Sequence, residues 1–295
     1  MSQQAWVEHA TIEAAVRSPQ GRFVAAFGRH RLGLAGLAIV LALVVVAVAA
    51  PAIAPYDPFE QNIVEARLKP PSPEHPLGTD ELGRDILSRI VYGARISLRI
   101  GLVAEGVSLA IGMVVGGLAG YLGGRFDDVM MRVTDIFFAI PSLLFLIAVV
   151  AILEPTPTTI AAALGVIGWP SEARLMRSQV LALKELEYVT AAYAVGASPG
   201  RVLLRHILPN GIAPMIVAGT LGTAGAILNE ATLSFLGLGI QQPIPSWGTM
   251  VNTGQSYIFN AWWYSVFPGL AIMVTVLGFN FLGDALRDAL DPTRQ

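Results

Sequence analysis

Gly196-Ala197-Ser198-Pro199-Gly200 spells the G-x-S-x-G string of a nucleophile elbow, and His206 follows on the next stretch of chain. In that arrangement a serine attacks an acyl carbon, a histidine takes its proton, and the N–H of the residue after the serine helps hold the oxyanion. Here the residue after the serine is Pro199, which has no N–H. The preceding residues, ELEYVTAAYAV, have helical spacing where the elbow needs a strand. The stretch therefore reads as helix, tight turn, helix. Gly196 ends the first helix at a position tolerant of positive φ, Ser198 caps the second, Pro199 occupies its first turn and Pro209 stops it.

Other catalytic constellations are missing. The only lysines, Lys69 and Lys184, both follow leucine, so the Gly-Lys pair of a phosphate-binding loop does not occur and this chain is not expected to hydrolyse ATP. His9, His30, His75 and His206 lie far apart and no H-E-x-x-H is present, which argues against a metalloprotease or any metal site. With no cysteine, disulfides, thiolate ligands and a thiol nucleophile are excluded.

The remaining chemistry-bearing residues are ionisable or amide groups inside apolar runs: Glu105, Asp135, Asn229 and Glu230, with Asp284 near the last run's end. Such groups are candidates for a transport path by their cost alone. Glu105 and Asp135 fit pore lining as well as proximity to headgroups. Asn229 lies roughly 27 Å along its run from Gly211, which places it and Glu230 toward an outer mouth. No chain of acids and histidines offers a proton relay, which counts against a proton-coupled carrier.

These residues must be positioned by elements suited to lipid. The chain has 295 residues, 54% of them apolar and 14% charged, with a mean hydropathy of +0.61. The net charge of -2 gives no footprint for nucleic acid. Apolar runs fall at residues 32–55, 97–122, 133–153, 211–235 and 262–282, each long enough to cross a bilayer. A sixth, 158–170, spans only if Glu172 and Arg174 sit at the headgroups. The first run is an uncleaved anchor, since it is longer than a signal core and follows a long polar leader, although Ala47-Val48-Ala49 resembles a cleavage site.

Arg17, Arg22, Arg29 and Arg31 before the first run place the N-terminal tail, 1–31, in the cytoplasm. Six spans then put the tail 286–295, with Arg287 and Arg294, on the same side, together with the 178–210 loop and its Lys184 and Arg201. Both lysine- and arginine-free loops, 154–158 and 239–261, fall outside. The segment 56–96 is an extracytoplasmic loop whose end, 85–97, has helical spacing suited to the interface.

Gly112, Gly116, Gly120 and Gly124 form one helical stripe that suits close internal packing better than a subunit interface. Trp262, Trp263 and Tyr264 fit an aromatic belt. In the 178–210 loop, Leu186, Val189, Thr190 and Tyr193 fall on one side of a short helix with Glu185 and Glu187 at its start, a face suited to docking.

The string TAAYAVGASPGRVLLRHILP resembles the cytoplasmic loop of binding-protein-dependent ABC importer permeases, whose pattern runs Glu-Ala-Ala, three residues, Gly, nine residues, Ile, one residue, Leu-Pro. Ala191, Ala192, Gly196, Leu208 and Pro209 match in register; Thr190 stands for the family's Glu and His206 for its Ile. HPLGTDELGRDILSRIVYGARISL, ATLSFLGLGIQQPIPSWGTM and NFLGDALRDALDP resemble the second permease subunit of the dipeptide, oligopeptide and nickel branch.

The resemblance implies an all-α polytopic subunit of six transmembrane helices, with a type I importer core over 97–285, in a bacterial cytoplasmic membrane. It implies pairing with a paralogous permease, two cytoplasmic ATPases that bind ATP and Mg, and an extracytoplasmic binding protein. It further implies that Glu187, Tyr188, Thr190, Ala191, Ala192, Gly196, Ala197, Ser198, Arg201, His206, Leu208 and Pro209 form the loop through which the ATPases couple, with Thr190 or Glu187 replacing the usual glutamate. The cargo implied is a peptide, or within the same branch a nickel complex, glutathione or an opine.

Overall fold

The computed structural model describes residues 19–290; the tail residue Arg17, most of the leader and Arg294 lie outside the described residues. The architecture is helical throughout, and the only β pairing among the described residues is a single bridge between Thr79 and Asp85. In chain order the helices are α1 (Pro19–Arg29), α2 (Arg31–Ile53), α3 (Ile63–Ala66), α4 (Ile86–Leu122), α5 (Gly124–Ala139), α6 (Ser142–Ile152) and α7 (Pro157–Leu183). They continue as α8 (Glu187–Ala194), α9 (Pro199–Val202), a π-helical turn (Leu203–Ile207), α10 (Ile212–Phe235), α11 (Trp247–Gln255) and α12 (Trp263–Leu290).

Four helices, α2, α4, α10 and α12, are long and apolar enough to cross a membrane, and α5 with α6, bent by 83° where they meet, makes a fifth when the pair is taken as one span. α7 has 27 residues, about 40 Å of helix, but is less apolar because Glu172, Arg174 and Arg177 occupy its C-terminal half. The bend falls at Ile140-Pro141, inside the run expected to be one continuous span. A proline pushes the residue before it out of the helical region, and Ile140 is extended at φ -95, ψ 120.

α4 differs in the other direction. The interfacial helix and the second span, expected as two elements meeting near Ser97, are one helix of 37 residues. Asp85 starts it, with Oδ2 accepting from the Ser88 N–H at 2.7 Å and from the Ser88 hydroxyl at 2.7 Å. No glycine or proline interrupts the polar-to-apolar boundary strongly enough to end it.

The glycine stripe explains how α4 meets α7. A Cβ on Gly116 would lie 2.9 Å from the Ala173 Cα, and one on Gly120 would lie 2.9 Å from the Arg177 carbonyl oxygen. The two backbones approach this closely only because α4 offers no side chain there. Gly112 likewise faces Glu172, whereas Gly124 begins α5 and meets nothing.

Residues 56–85 form a folded strap across the ends of α4 and α12. Backbone bonds from Leu68 N to Asp80 O (3.0 Å), from Asn62 N to Leu82 O (3.1 Å) and from Ile86 N to Gly78 O (3.0 Å) tie it together. Arg84 and Asp80 are fully buried, with Arg84 Nε donating to Asp80 Oδ2 at 2.6 Å, Nη2 to Glu81 Oε1 at 3.2 Å and Nη1 to Gln242 Oε1 at 3.1 Å. Arg89 Nη1 donates to Pro58 O at 2.9 Å. His75 Nδ1 stands 3.0 Å from Asp85 Oδ1.

The aromatic cluster at the start of α12 belongs partly to this knot. Trp262 is exposed as a belt residue would be, but Trp263 and Tyr264 are buried, and Trp263 Nε1 donates to Thr79 O at 3.3 Å. The expected 239–261 loop also contains α11, whose buried Trp247 donates from Nε1 to Ile90 O at 2.9 Å.

Candidate functional site

Two regions gather the residues singled out above. The first is the hairpin from Glu187 to Ile207. Gly196 has φ +85, its N–H donates to Tyr193 O at 2.9 Å, and the Ala197 N–H donates to Ala192 O at 3.0 Å. This pair of bonds around a left-handed residue is the Schellman ending of a helix, and it needs glycine at that position.

Ser198 and Pro199 then start α9 as the sequence requires, with Ser198 extended at φ -68, ψ 150. The expected cap bond is not made, however: the Ser198 side chain accepts no backbone N–H. Ser198→Ala is accordingly expected to change stability by less than about 0.5 kcal/mol, well below the ~1 kcal/mol of a bonded cap. Thermal unfolding of the purified protein checks it, and a drop of several degrees would contradict this geometry.

α9 does not run on as an α-helix. It passes into the π-helical turn, with the Leu208 N–H bonded to Leu203 O at 2.9 Å. Pro209 cannot donate, and the wider turn carries the chain past it into α10.

The docking face of α8 is also divided differently from expectation. Val189 and Ala192 are buried, packing with Met176, Val180, Val202 and Ile207. Leu186, Glu187, Tyr188, Thr190, Ala191 and Tyr193 are exposed, as are Arg201 and Leu204, and Val195 is 85% exposed. Leu186, Thr190 and Tyr193 therefore share a face without Val189, because a helix this short presents only its i, i+3 pair to the bundle. Ala197, His206 and Leu208 are half-buried and Pro209 is exposed. The hairpin is tied to the bundle by Tyr121 Oη, which lies 2.5 Å from Tyr193 Oη and donates to Pro199 O at 2.9 Å. No motif pointed to Tyr121.

The second region is a cleft of about 250 Å³ between α4, α7 and α10. Glu105 and Asn229 line it, together with Glu172. The four expected pore or mouth residues are thus not one group. Asp135 lies on the exposed side of α5, where Arg174 Nη2 donates to its Oδ1 at 2.5 Å. Glu230 does not line the cleft; it is buried, its Oε1 accepting from Ser234 Oγ at 2.7 Å and Ser246 Oγ at 2.9 Å. Glu172, expected at the headgroups, is buried where the glycine stripe lets α7 close on α4. Asp127 and Arg177 form a two-pronged pair, 2.5 Å on each arm, that joins α5 to α7 and left no signal in the sequence.

Among the described residues no three His, Asp or Glu side chains gather to hold a metal ion. The described residues form a packed helical bundle with an internal polar cleft and an exposed hairpin at one end. A family model for the binding-protein-dependent transport system inner membrane component matches residues 112–295. The chain belongs to that family. A second model, the N-terminal transmembrane domain of oligopeptide transport permease C, matches residues 18–71.

Relatives of this permease agree along their length. It is 46% identical over 264 residues to the dipeptide transport system permease protein DppC of Alkalihalophilus pseudofirmus, covering 90% of this chain and 86% of that one. It is 44% identical over 266 residues to the oligopeptide transport system permease protein OppC of Bacillus subtilis, covering 90% and 87%. The solved MetNI methionine ABC transporter in inward-facing conformations shares the fold, with a TM-score of 0.55 and 20% identity over 69% of this chain and 97% of that one. The permease is thus a multi-pass inner-membrane, non-catalytic subunit of an ABC transporter.

Proposed function

We propose that this permease forms half of the path by which an ATP-driven importer takes up di- or oligopeptides. The cargo reading is carried by one observation, the match to a dipeptide permease across 90% of the chain. A paralogous permease completes the path, a binding protein delivers the solute, and both termini lie in the cytoplasm with the 187–210 loop. Two ATPases bind ATP and Mg and dock on that loop.

The geometry supports the docking reading. Val189 and Ala192 anchor α8, and Tyr121 ties it to α4, so force applied to the exposed face reaches the bundle without being absorbed by a loose loop. Glu187 and Thr190 are both exposed on α8, and either can present the polar contact at its surface.

Two measurements test this. Vesicles holding the assembled complex should accumulate labelled alanyl-alanine only with ATP and binding protein, and vesicles holding this chain alone should accumulate none. Uptake by the chain alone would make it a carrier and overturn the proposal. Gly196→Val should lower ATP-driven uptake at least tenfold, since a β-branched residue is strained at φ +85. Coupled uptake at the normal rate would remove the hairpin from the mechanism.

A further inference from the structure

The cleft holds two carboxylates that nothing in the fold uses. Glu105 on α4 is 7% exposed and Glu172 on α7 is 9% exposed, and both line the same cavity. Glu105 Oε1 and Glu172 Oε2 are buried without a hydrogen-bond partner. No arginine or lysine is among the described residues lining the cleft. This contrasts with the other buried acids. Asp80 has Arg84, Asp127 has Arg177, and Glu230, whose Oε2 is also unpartnered, has two serine hydroxyls on its Oε1.

Two unpartnered carboxylates within membrane-length helices are costly, and a permanent structural role would have given them partners. The space around them is kept open. Gly222 lies against the Glu105 carboxyl, where a Cβ would come within 2.6 Å of Oε1, and at Gly225 a Cβ would meet nothing within 4 Å. Ser171 and Asn229 add neutral donors and acceptors at the rim. A cavity of about 250 Å³ is too small for a whole oligopeptide but has room for one cationic end group.

We propose that Glu105 and Glu172 form a cation subsite on the transport path, which receives a primary ammonium group of the solute, such as a lysine side chain, and disfavours acidic solutes. The proposal rests on the importer reading above. The carboxylates supply the charge complement that the helices lack, and the ammonium's three donors match two carboxylates with an adjacent amide oxygen.

The test uses the full complex in vesicles with unaltered binding protein and ATPases, so that a change in selectivity arises in this chain. Uptake of alanyl-lysine is compared with that of alanyl-glutamate. Glu105→Gln with Glu172→Gln should lower the alanyl-lysine to alanyl-glutamate uptake ratio at least fivefold, and Glu105→Asp should keep it within twofold of the parent. An unchanged ratio in the double variant overturns the subsite. Loss of the co-purifying permease from the double variant would also overturn it, by assigning the carboxylates to a basic side chain of that partner.

A second readout does not depend on cargo. Dicyclohexylcarbodiimide modification of Glu105 and Glu172 in the unaltered complex, counted by mass spectrometry as the N-acylurea and propylamide products together, should slow at least threefold in propylammonium chloride relative to choline chloride at equal ionic strength. Equal labelling overturns the subsite. Protection in a complex that carries neither dipeptide would uphold the subsite while removing the peptide reading.

Discussion

Gly116→Leu is expected to cost roughly 3 kcal/mol or more and to leave little folded protein. The side chain would have to grow into the backbone of α7, where the Ala173 carbonyl carbon stands 2.8 Å and its Cα 2.9 Å from the place of the new Cβ. A flexible neighbour can swing aside, but backbone atoms move only with their helix. α7 would be pushed away from α4 along the whole seam, opening the contacts at Gly112 and Gly120 as well. Thermal unfolding of the purified complex measures the loss. Gly106→Leu on the same helix supplies the comparison, because a Cβ at Gly106 meets nothing within 4 Å and the residue is exposed. A change of less than about 0.5 kcal/mol is expected there. Equal damage from the two variants would show that the seam does not depend on its glycines.

Arg84→Met should be nearly as harmful for an electrostatic reason. Asp80 and Arg84 are both fully buried, so removing the guanidinium strands a carboxylate whose other cationic neighbour, Arg89, has its Nε 3.6 Å away. Burial pushes the Asp80 carboxyl above its ordinary range, with Arg84 and Arg89 holding it back only in part. The pair therefore does not fully offset its own desolvation even when intact. Breaking such a pair costs about 3–5 kcal/mol. Combining Arg84→Met with Asp80→Leu removes the stranded charge, and a coupling energy of about 1–3 kcal/mol in that double-mutant cycle is expected. Strict additivity of the two changes would mean that the bond at 2.6 Å contributes nothing.

Local rules made parts of this structure readable from the sequence. Gly196, Pro199 and Pro209 dictate their turn by backbone sterics alone, and the turn stands where those sterics put it. The glycine stripe at i, i+4 spacing likewise implied a close neighbour, although it could not say which helix. The bent fifth span was less legible, because an apolar run continues in composition through Ile140-Pro141 while the backbone does not.

What the sequence concealed was pairing at long range. Trp263 reads as a belt residue until residues 56–85 are folded over it, and Arg84 reads as a loop charge until Gln242 and Asp80 enclose it. The cleft combined both cases. Glu105 stands out in the sequence as a misplaced charge, yet Glu172, which lines the same cleft, reads as a headgroup residue, since short apolar length is the only signal at 158–170.

The knot around Arg84 fastens one end of α4, and the Tyr121 contacts fasten the hairpin to the other. A rod held at one end is a lever. Across the 37 residues of α4, about 55 Å, a tilt of about 5° about the strapped end carries the Tyr121 end through roughly 5 Å. Glu105 lies midway along the rod and would travel about half as far. A push on the hairpin would thus arrive at Glu105, beside the Glu172 of α7, as a smaller movement with greater mechanical advantage.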